Sequence, residues 1–281
     1  MTLSQIKLLK DILNKTVAYA ALTIFGITML LPFMWMLSSS LKEPSQVFSS
    51  SLSLIPNPIV FTNYIEAWNA IPFGRFYLNS LYIALAVTLG QLVTSSMAAY
   101  AFSRLKFPGR DKIFFAYLAT MMIPGMVTTI PVFILMKKLD WLNTYKALII
   151  PGIFTAYGTF MLRQFFMTLP SELEDAAKID GCSLWRIYWQ IILPLSKPAL
   201  ATLATFTFLG NWQSFVWPLI ITSTEEMKTL PVGLSYFQDM YSTNWTLLMA
   251  GSIIVLVPAL FVFIFNQRFF TKGIALSGLK G

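Results

Sequence analysis

TVAYAALTIFGITMLLPFMWMLSSSL, Thr16 to Leu41, runs for 26 residues without an Asp, Glu, Lys or Arg. A helix needs about 20 predominantly apolar residues to cross the hydrocarbon core of a bilayer, and this stretch supplies them. Lys7, Lys10 and Lys15 precede it. A cleaved signal peptide has the same basic start but an apolar core of only about 7 to 15 residues, so the segment reads as a retained anchor.

Further along the chain, the charge-free gaps between Arg75 and Arg104, Lys112 and Lys137, Lys197 and Glu225, and Asp239 and Arg268 are equally apolar. An ionised side chain at the bilayer centre costs at least about 2.5 to 3.5 kcal/mol, so such gaps locate spans. The gap from Lys146 to Arg163 is shorter, at 16 residues, but Arg163 can snorkel and the apolar run resumes through Phe165 and Phe166. The stretch from Pro44 to Ile65 is also uncharged, yet it carries Pro44, Pro56 and Pro58 among serines and asparagines. Its backbone groups would go unsatisfied in lipid, and it reads as a surface loop. The chain is therefore expected to be an all-α membrane protein with one transmembrane domain over 1–281 and about six spans, near 17–38, 77–103, 113–136, 147–167, 199–221 and 246–268.

Composition agrees. Of 281 residues, 56% are hydrophobic and 11% charged, with a mean hydropathy of +0.67; a soluble domain carries about 25% charged residues. There is no histidine and one cysteine, Cys182. A Ser-His-Asp triad, a His-rich metal site and an intrachain disulfide are excluded, and no other titratable constellation suggests an enzyme.

Six spans put both termini on one side. With that side inside, 14 of the 20 Lys and Arg residues fall on inner segments, although Lys137, Lys138 and Lys146 dissent. The bias follows the positive-inside rule and places both termini in the cytoplasm of a multi-pass protein of the cell (inner) membrane. The net charge of +8 then describes orientation in lipid, not nucleic-acid binding.

On the inner side lies the longest charged cluster, SELEDAAKIDGCSLWRIYWQIILPLSKP, Ser171 to Pro198, within a loop over 168–197. Ser171 with Glu174 has capping-box spacing, Glu174 and Lys178 form an i, i+4 pair, and Gly181 supplies a stop. A second helix is expected near Ser183, with Leu184, Ile187, Tyr188, Ile191 and Ile192 on one face. Small residues at Ala176 and Ala177 would admit a partner's groove. A solvated hairpin on the membrane surface would show the same pattern.

The spacing becomes specific at this point. Asp175-Ala176-Ala177, three residues to Gly181, then nine to Ile191-x-Leu193-Pro194 resembles the EAA loop of the membrane subunits of ATP-binding cassette (ABC) importers, with Asp175 where Glu is usual. AYAFSRLKFPGRDKIFF (Ala99–Phe115), LRQFFMTLPSELEDAAKIDG (Leu162–Gly181), NWQSFVWPLI (Asn211–Ile220), TLPVGL (Thr229–Leu234) and GIALSGLKG (Gly273–Gly281) resemble, in order, the carbohydrate branch of maltose and glycerol-3-phosphate permeases. The resemblance implies the type I importer permease (MetI-like) fold and a role as the translocation subunit of a binding-protein-dependent importer of a carbohydrate or polyol. It also implies that Glu172, Asp175, Ala176, Ala177 and Gly181 couple the chain to an ATPase. The partners implied are two cytoplasmic ABC ATPase subunits, which bind ATP and Mg, an extracytoplasmic substrate-binding protein, and a second homologous permease, with a heterodimer favoured over a homodimer. No cofactor is expected in this chain itself.

The energy source can be read without the family. The five long charge-free gaps hold no carboxylate or histidine for ion coupling, and there is no G-x-x-x-x-G-K-[ST] phosphate loop. ATP would have to be hydrolysed by another polypeptide. The alternatives are a permease for a polyamine or amino acid, and an ion-coupled secondary carrier.

For the solute, Thr207, Asn211 and Ser214 fall at helical spacings 0, 4 and 7, with Trp212, Gln213 and Trp217 close by. Amides bond hydroxyls and aromatic faces stack on sugar C–H surfaces; the same groups could equally bond neighbouring helices. Pro32, Gly90, Pro124, Gly125, Pro131, Gly210 and Pro258 fall inside spans and suggest kinked helices. On the outer face, the loops at Ser38–Arg75 and Thr222–Trp245, the latter with Glu225, Glu226 and Asp239, are where the resemblance implies that the binding protein docks.

Overall fold

The computed structural model describes residues 3–48, 53–238 and 243–277, with side chains throughout except at 3–6, 8, 9 and 269–277. Asp239, Lys280 and the end of the closing Gly273–Gly281 motif lie outside the described residues, as do the side chains of Lys272 and the rest of that motif. Helices dominate, and among the described residues the only β feature is a single bridge between Gln238 and Thr243.

Two compact units are present. The first comprises Met1–Ala70 and Phe237–Ile254, the second Ile71–Tyr236 and Val255–Gly281. In the first, helix α1 (Leu3–Ser40) follows from the opening apolar run. Its polar side chains bond within the helix, Thr16 Oγ1 donating to Ile12 O at 2.9 Å and Thr28 Oγ1 to Ile24 O at 2.8 Å. Lipid offers no hydrogen bonds, and this local pairing lets threonine reside there. None of its most apolar stretch is buried by the rest of the chain. Helix α2 (Thr62–Ala70) is tied to the end of α1 by the buried Asn63, whose Nδ2 donates to Ser40 O at 2.9 Å and Lys42 O at 2.8 Å.

In the second unit, α3 (Phe73–Arg104) is the central rod, packed against α7 (Ala156–Met167) and α11 (Lys197–Trp212). Gly90 makes the close approach possible: a Cβ there would sit 2.5 Å from Ile153 Cγ2. Two bonds cross the contact, Gln91 Nε2 to Gly152 O at 2.7 Å and Thr94 Oγ1 to Ile153 O at 2.6 Å. At the N-terminal end of α3, Asn79 gathers the segment that follows α12 (Val216–Ile221). Its Nδ2 donates to Glu226 O and Lys228 O at 2.7 and 2.8 Å, while Tyr145 Oη donates to its Oδ1 at 2.7 Å.

Among the described residues, four helices are long and apolar enough to cross a membrane: Lys10–Ser40, Phe73–Arg104, Tyr145–Met167 and Trp245–Arg268. The number rises to six if each of two bent pairs is one span. The first pair, α4 (Arg110–Ala119) with its 3₁₀ extension to Met122 and α5 (Gly125–Lys138), turns through 98°. Pro124 stands at that corner, where it can neither donate a hydrogen bond nor let Ile123 stay helical; Ile123 is extended, with φ −83° and ψ 116°. The second pair, Leu184–Leu195 and α11, turns through 77° before Pro198. The short helices α6 (Tyr145–Ile149), α10 (Leu193–Leu195) and α13 (Leu230–Leu234) complete the order, and the last described helix, α14 (Trp245–Ser277), holds Pro258 inside it.

Arg163 Nε donates to Phe102 O at 3.1 Å, its guanidinium lies 4.1 Å over the Phe114 ring, and Asp111, itself 58% exposed, is 3.6 Å off.

Candidate functional site

The charged hairpin folds as two short helices docked on the Arg104 end of α3. The first, α8 (Glu172–Ile179), ends in a full Schellman turn. Gly181 takes φ +76°, its N–H donates to Lys178 O at 3.0 Å, and Cys182 N–H donates to Ala177 O at 2.9 Å. This left-handed position favours glycine because a Cβ would crowd the backbone. The second, α9 (Leu184–Ile187), is capped by Ser183 Oγ, which accepts from Arg186 N at 3.3 Å, and passes into a π-helical turn at Tyr188–Ile192.

Two local expectations at the start of α8 fail. Ser171 makes no capping bond, having itself adopted helical φ/ψ, so the capping box is not formed. Lys178 pairs with Asp175 Oδ1 at 3.0 Å, not with Glu174. Glu174 instead turns inward, 5% exposed, with its Oε1 3.1 Å from Arg104 Nε. The contact is an ion pair without hydrogen-bond alignment. Arg104 also donates to Phe166 O, which accepts from Leu169 N–H as well, and, at 2.7 Å, to Leu169 O just past the end of α7. Burial pushes the Glu174 carboxyl above its ordinary range, and the nearby Arg104 and Lys178 only partly oppose it.

The hairpin thus has two faces. Ala177, Ile187, Tyr188 and Ile192 enter a core with Ala99 and Tyr100 of α3, Leu162 and Phe166 of α7, and Leu203 of α11. Tyr188 Oη and Ser96 Oγ share a hydrogen bond of 2.7 Å. Outward lie Glu172, Asp175, Ala176 and Gly181, along with the apolar Ile179 at 87% exposure. The Ala-Ala pair is therefore divided: Ala176 is exposed, whereas Ala177 faces the protein's own core. Leu184 departs from the expected apolar face and is 49% exposed, whereas Ile187, Tyr188 and Ile192 of that face are buried.

The polar stripe on the fifth gap is also divided. Thr207 Oγ1 donates to Gln91 Oε1 at 2.8 Å, and Asn211 Nδ2 donates to Thr207 O at 2.8 Å. Helix α11 stops at Trp212, so Gln213 and Ser214 lie in the break before α12 and do not continue a helical face. Trp212 is 1% exposed, donates to Val255 O at 2.9 Å and stacks on Phe208; it is a core residue. Asn211 lines an open cleft of about 280 Å³ together with Thr128 and Thr129 of α5, Gly152 and Trp217. Trp217 Nε1 donates to Ala147 O at 3.0 Å, which fixes its ring there. Thr128 and Thr129 were not visible as site residues from sequence, since their spacing lies in an otherwise apolar run that gives no polar face.

Residues 91–274 match the family described as binding-protein-dependent transport system inner membrane component. The chain belongs to that family, the multi-pass inner-membrane permeases of binding-protein-dependent ABC importers, and is a transport subunit rather than an enzyme. It is 36% identical over 253 residues to the arabinooligosaccharides transport system permease protein AraQ of Halalkalibacterium halodurans, covering 89% of this chain and 91% of the relative. It is 38% identical over 243 residues to the sn-glycerol-3-phosphate transport system permease protein UgpE of Yersinia pestis bv. Antiqua, covering 83% and 85%. In fold it is similar to a chain of a bacterial ABC transporter that imports the acidic polysaccharide alginate, with a TM-score of 0.83, 24% identity, and coverage of 93% of this chain and 98% of that one. A chain of the MetNI methionine ABC transporter gives a TM-score of 0.55 at 14% identity, covering 70% of this chain and 93% of that one.

Proposed function

We propose that the chain imports a neutral, hydroxyl-rich solute, a carbohydrate or polyol, as one of two permease subunits driven by two cytoplasmic ATPases. The observation that carries the coupling part is the two-faced hairpin. One face of α8 is locked into the bundle through Ala177 and Glu174, while Glu172, Asp175, Ala176 and Gly181 are presented outward. A partner that grips the outward face moves α3, α7 and α11 with it. ATP and Mg belong to that partner. The hairpin face and both termini are cytoplasmic in this reading, and the binding protein meets the opposite side, near Glu225 to Leu234.

The solute class rests on the cleft beside Asn211. Its lining offers the Asn211 amide, two threonine hydroxyl oxygens whose protons go to Gly125 O, and the indole ring of Trp217, whose N–H is held by Ala147 O; none of its described lining residues is charged. Hydroxyls suit such a surface; a phosphate or carboxylate would be desolvated there without a cation. Among the relatives, this chemistry favours the arabinooligosaccharide type over the glycerol-3-phosphate type. The test is reconstitution of the complete complex in liposomes with its binding protein. ATP-dependent uptake of a neutral oligosaccharide in preference to glycerol 3-phosphate is expected. Uptake by this chain alone under an ion gradient would overturn the importer reading.

A further inference from the structure

We infer that Arg104 and Glu174 form the positioning joint through which the hairpin drives the bundle, a role distinct from holding the fold together. This rests on the coupling reading above. Arg104 is the last residue of α3, and its guanidinium serves three helices at once. It sits at the end of α3, it occupies the carbonyls of Phe166 and Leu169 where α7 terminates, and it pairs at 3.1 Å with Glu174 in the first turn of α8. Both side chains are about nine-tenths buried, at 11% and 7% exposure. The other ion pair on α8, Asp175 with Lys178, is exposed and internal to the helix, so it fixes nothing to the bundle.

Apolar contacts such as Ala177 against α3 and α7 hold α8 close but tolerate sliding. Pulling Glu174 away from Arg104 would leave an uncompensated buried charge, so the pair opposes displacement of α8 relative to α3 even though its atoms are not aligned for a hydrogen bond. The rod that Arg104 terminates carries Gln91 in its middle, bonded to both Gly152 and Thr207. Displacement of α8 is thereby transmitted along α3 to the elements that border the Asn211 cleft.

The test uses the whole complex in liposomes and reads solute taken up per ATP hydrolysed, together with the amount of complex assembled. Glu174→Gln keeps the size of the side chain and removes its charge. Complex assembly is expected at the wild-type level, with uptake per ATP reduced about tenfold, inside the usual range of coupling effects. Arg104→Lys keeps the charge but not the planar fork that reaches two carbonyls as well as the carboxylate, and an intermediate loss is expected. The double substitution Arg104→Gln with Glu174→Gln is expected to be no worse in uptake per ATP than Arg104→Gln alone, as befits two residues acting as one unit. Ala176→Trp, on the outward face, is the companion variant. If it uncouples while Glu174→Gln and Arg104→Lys keep the wild-type ratio, the joint is refuted and the docking face stands. If all three keep the wild-type ratio, the docking reading falls and the joint falls with it.

Discussion

Replacing Gly181 tests the turn that sets the direction of α8. With φ at +76°, the residue sits in the left-handed region, and nothing lies within 4 Å of where a Cβ would be. The cost of a side chain is thus entirely in the backbone. For alanine it is roughly 1 to 2 kcal/mol, which multiplies the population of alternative turns by about 5 to 30. Asparagine tolerates this region better than alanine does, and valine, branched at Cβ, tolerates it worst. The order of damage should therefore be Gly181→Asn, then Gly181→Ala, then Gly181→Val. When the turn relaxes, the bonds from residue 181 to Lys178 O and from Cys182 to Ala177 O are lost. Amide hydrogen exchange at residues 181 and 182 should accelerate in that order, and uptake per ATP should fall in parallel. Equal tolerance of asparagine and valine, or faster exchange with no change in uptake per ATP, would refute the reasoning.

Three further outcomes are expected. Because burial raises the Glu174 carboxyl above its unfolded value, the folded state holds the extra proton. The stability this group contributes is full below the ordinary carboxylate range and is lost as pH rises through the raised value. Melting temperature measured from acidic to neutral pH should show that decline, and Glu174→Gln should remove this component. Gly90→Ala should lower the melting temperature by overpacking against Ile153, about 1 to 3 kcal/mol, and Ile153→Ala should restore part of it. Asn211→Leu should raise the KM for uptake by roughly two- to tenfold, the equivalent of one hydrogen bond of about 0.5 to 1.5 kcal/mol, while ATP hydrolysis per solute is unchanged.

Much of this was legible from the residues because membrane and turn rules are local. A run of 26 uncharged residues can do little else than cross lipid, and a glycine after Lys178-Ile179-Asp180 marks the end of a helix wherever it packs. What escaped was set by tertiary contact. Glu174 seemed committed to Lys178 four residues on, but Arg104, 70 residues away in sequence, offered a buried partner. The capping box went with it, since a Glu174 turned inward cannot fold back on Ser171. Ala176 and Ala177 are identical in sequence and opposite in role: 100° apart on α8, one falls within the face that packs on the bundle and the other outside it. The stripe through Ser214 assumed a helix that stops at Trp212, and Thr128 and Thr129 face the Asn211 cleft only because Pro124 turns the chain through 98°.

The outward face of α8 is the centre of the proposal, and site-specific cross-linking addresses it directly. In a Cys182→Ser background, single cysteines at positions 176 and 177 would be treated, in the assembled complex, with a short maleimide–succinimide reagent that joins a thiol to lysines of the ATPase. Efficient cross-linking from position 176 and little from position 177 is expected, since Ala176 is exposed and Ala177 is 6% exposed within the core. Cross-linking from 177 and none from 176 would contradict it.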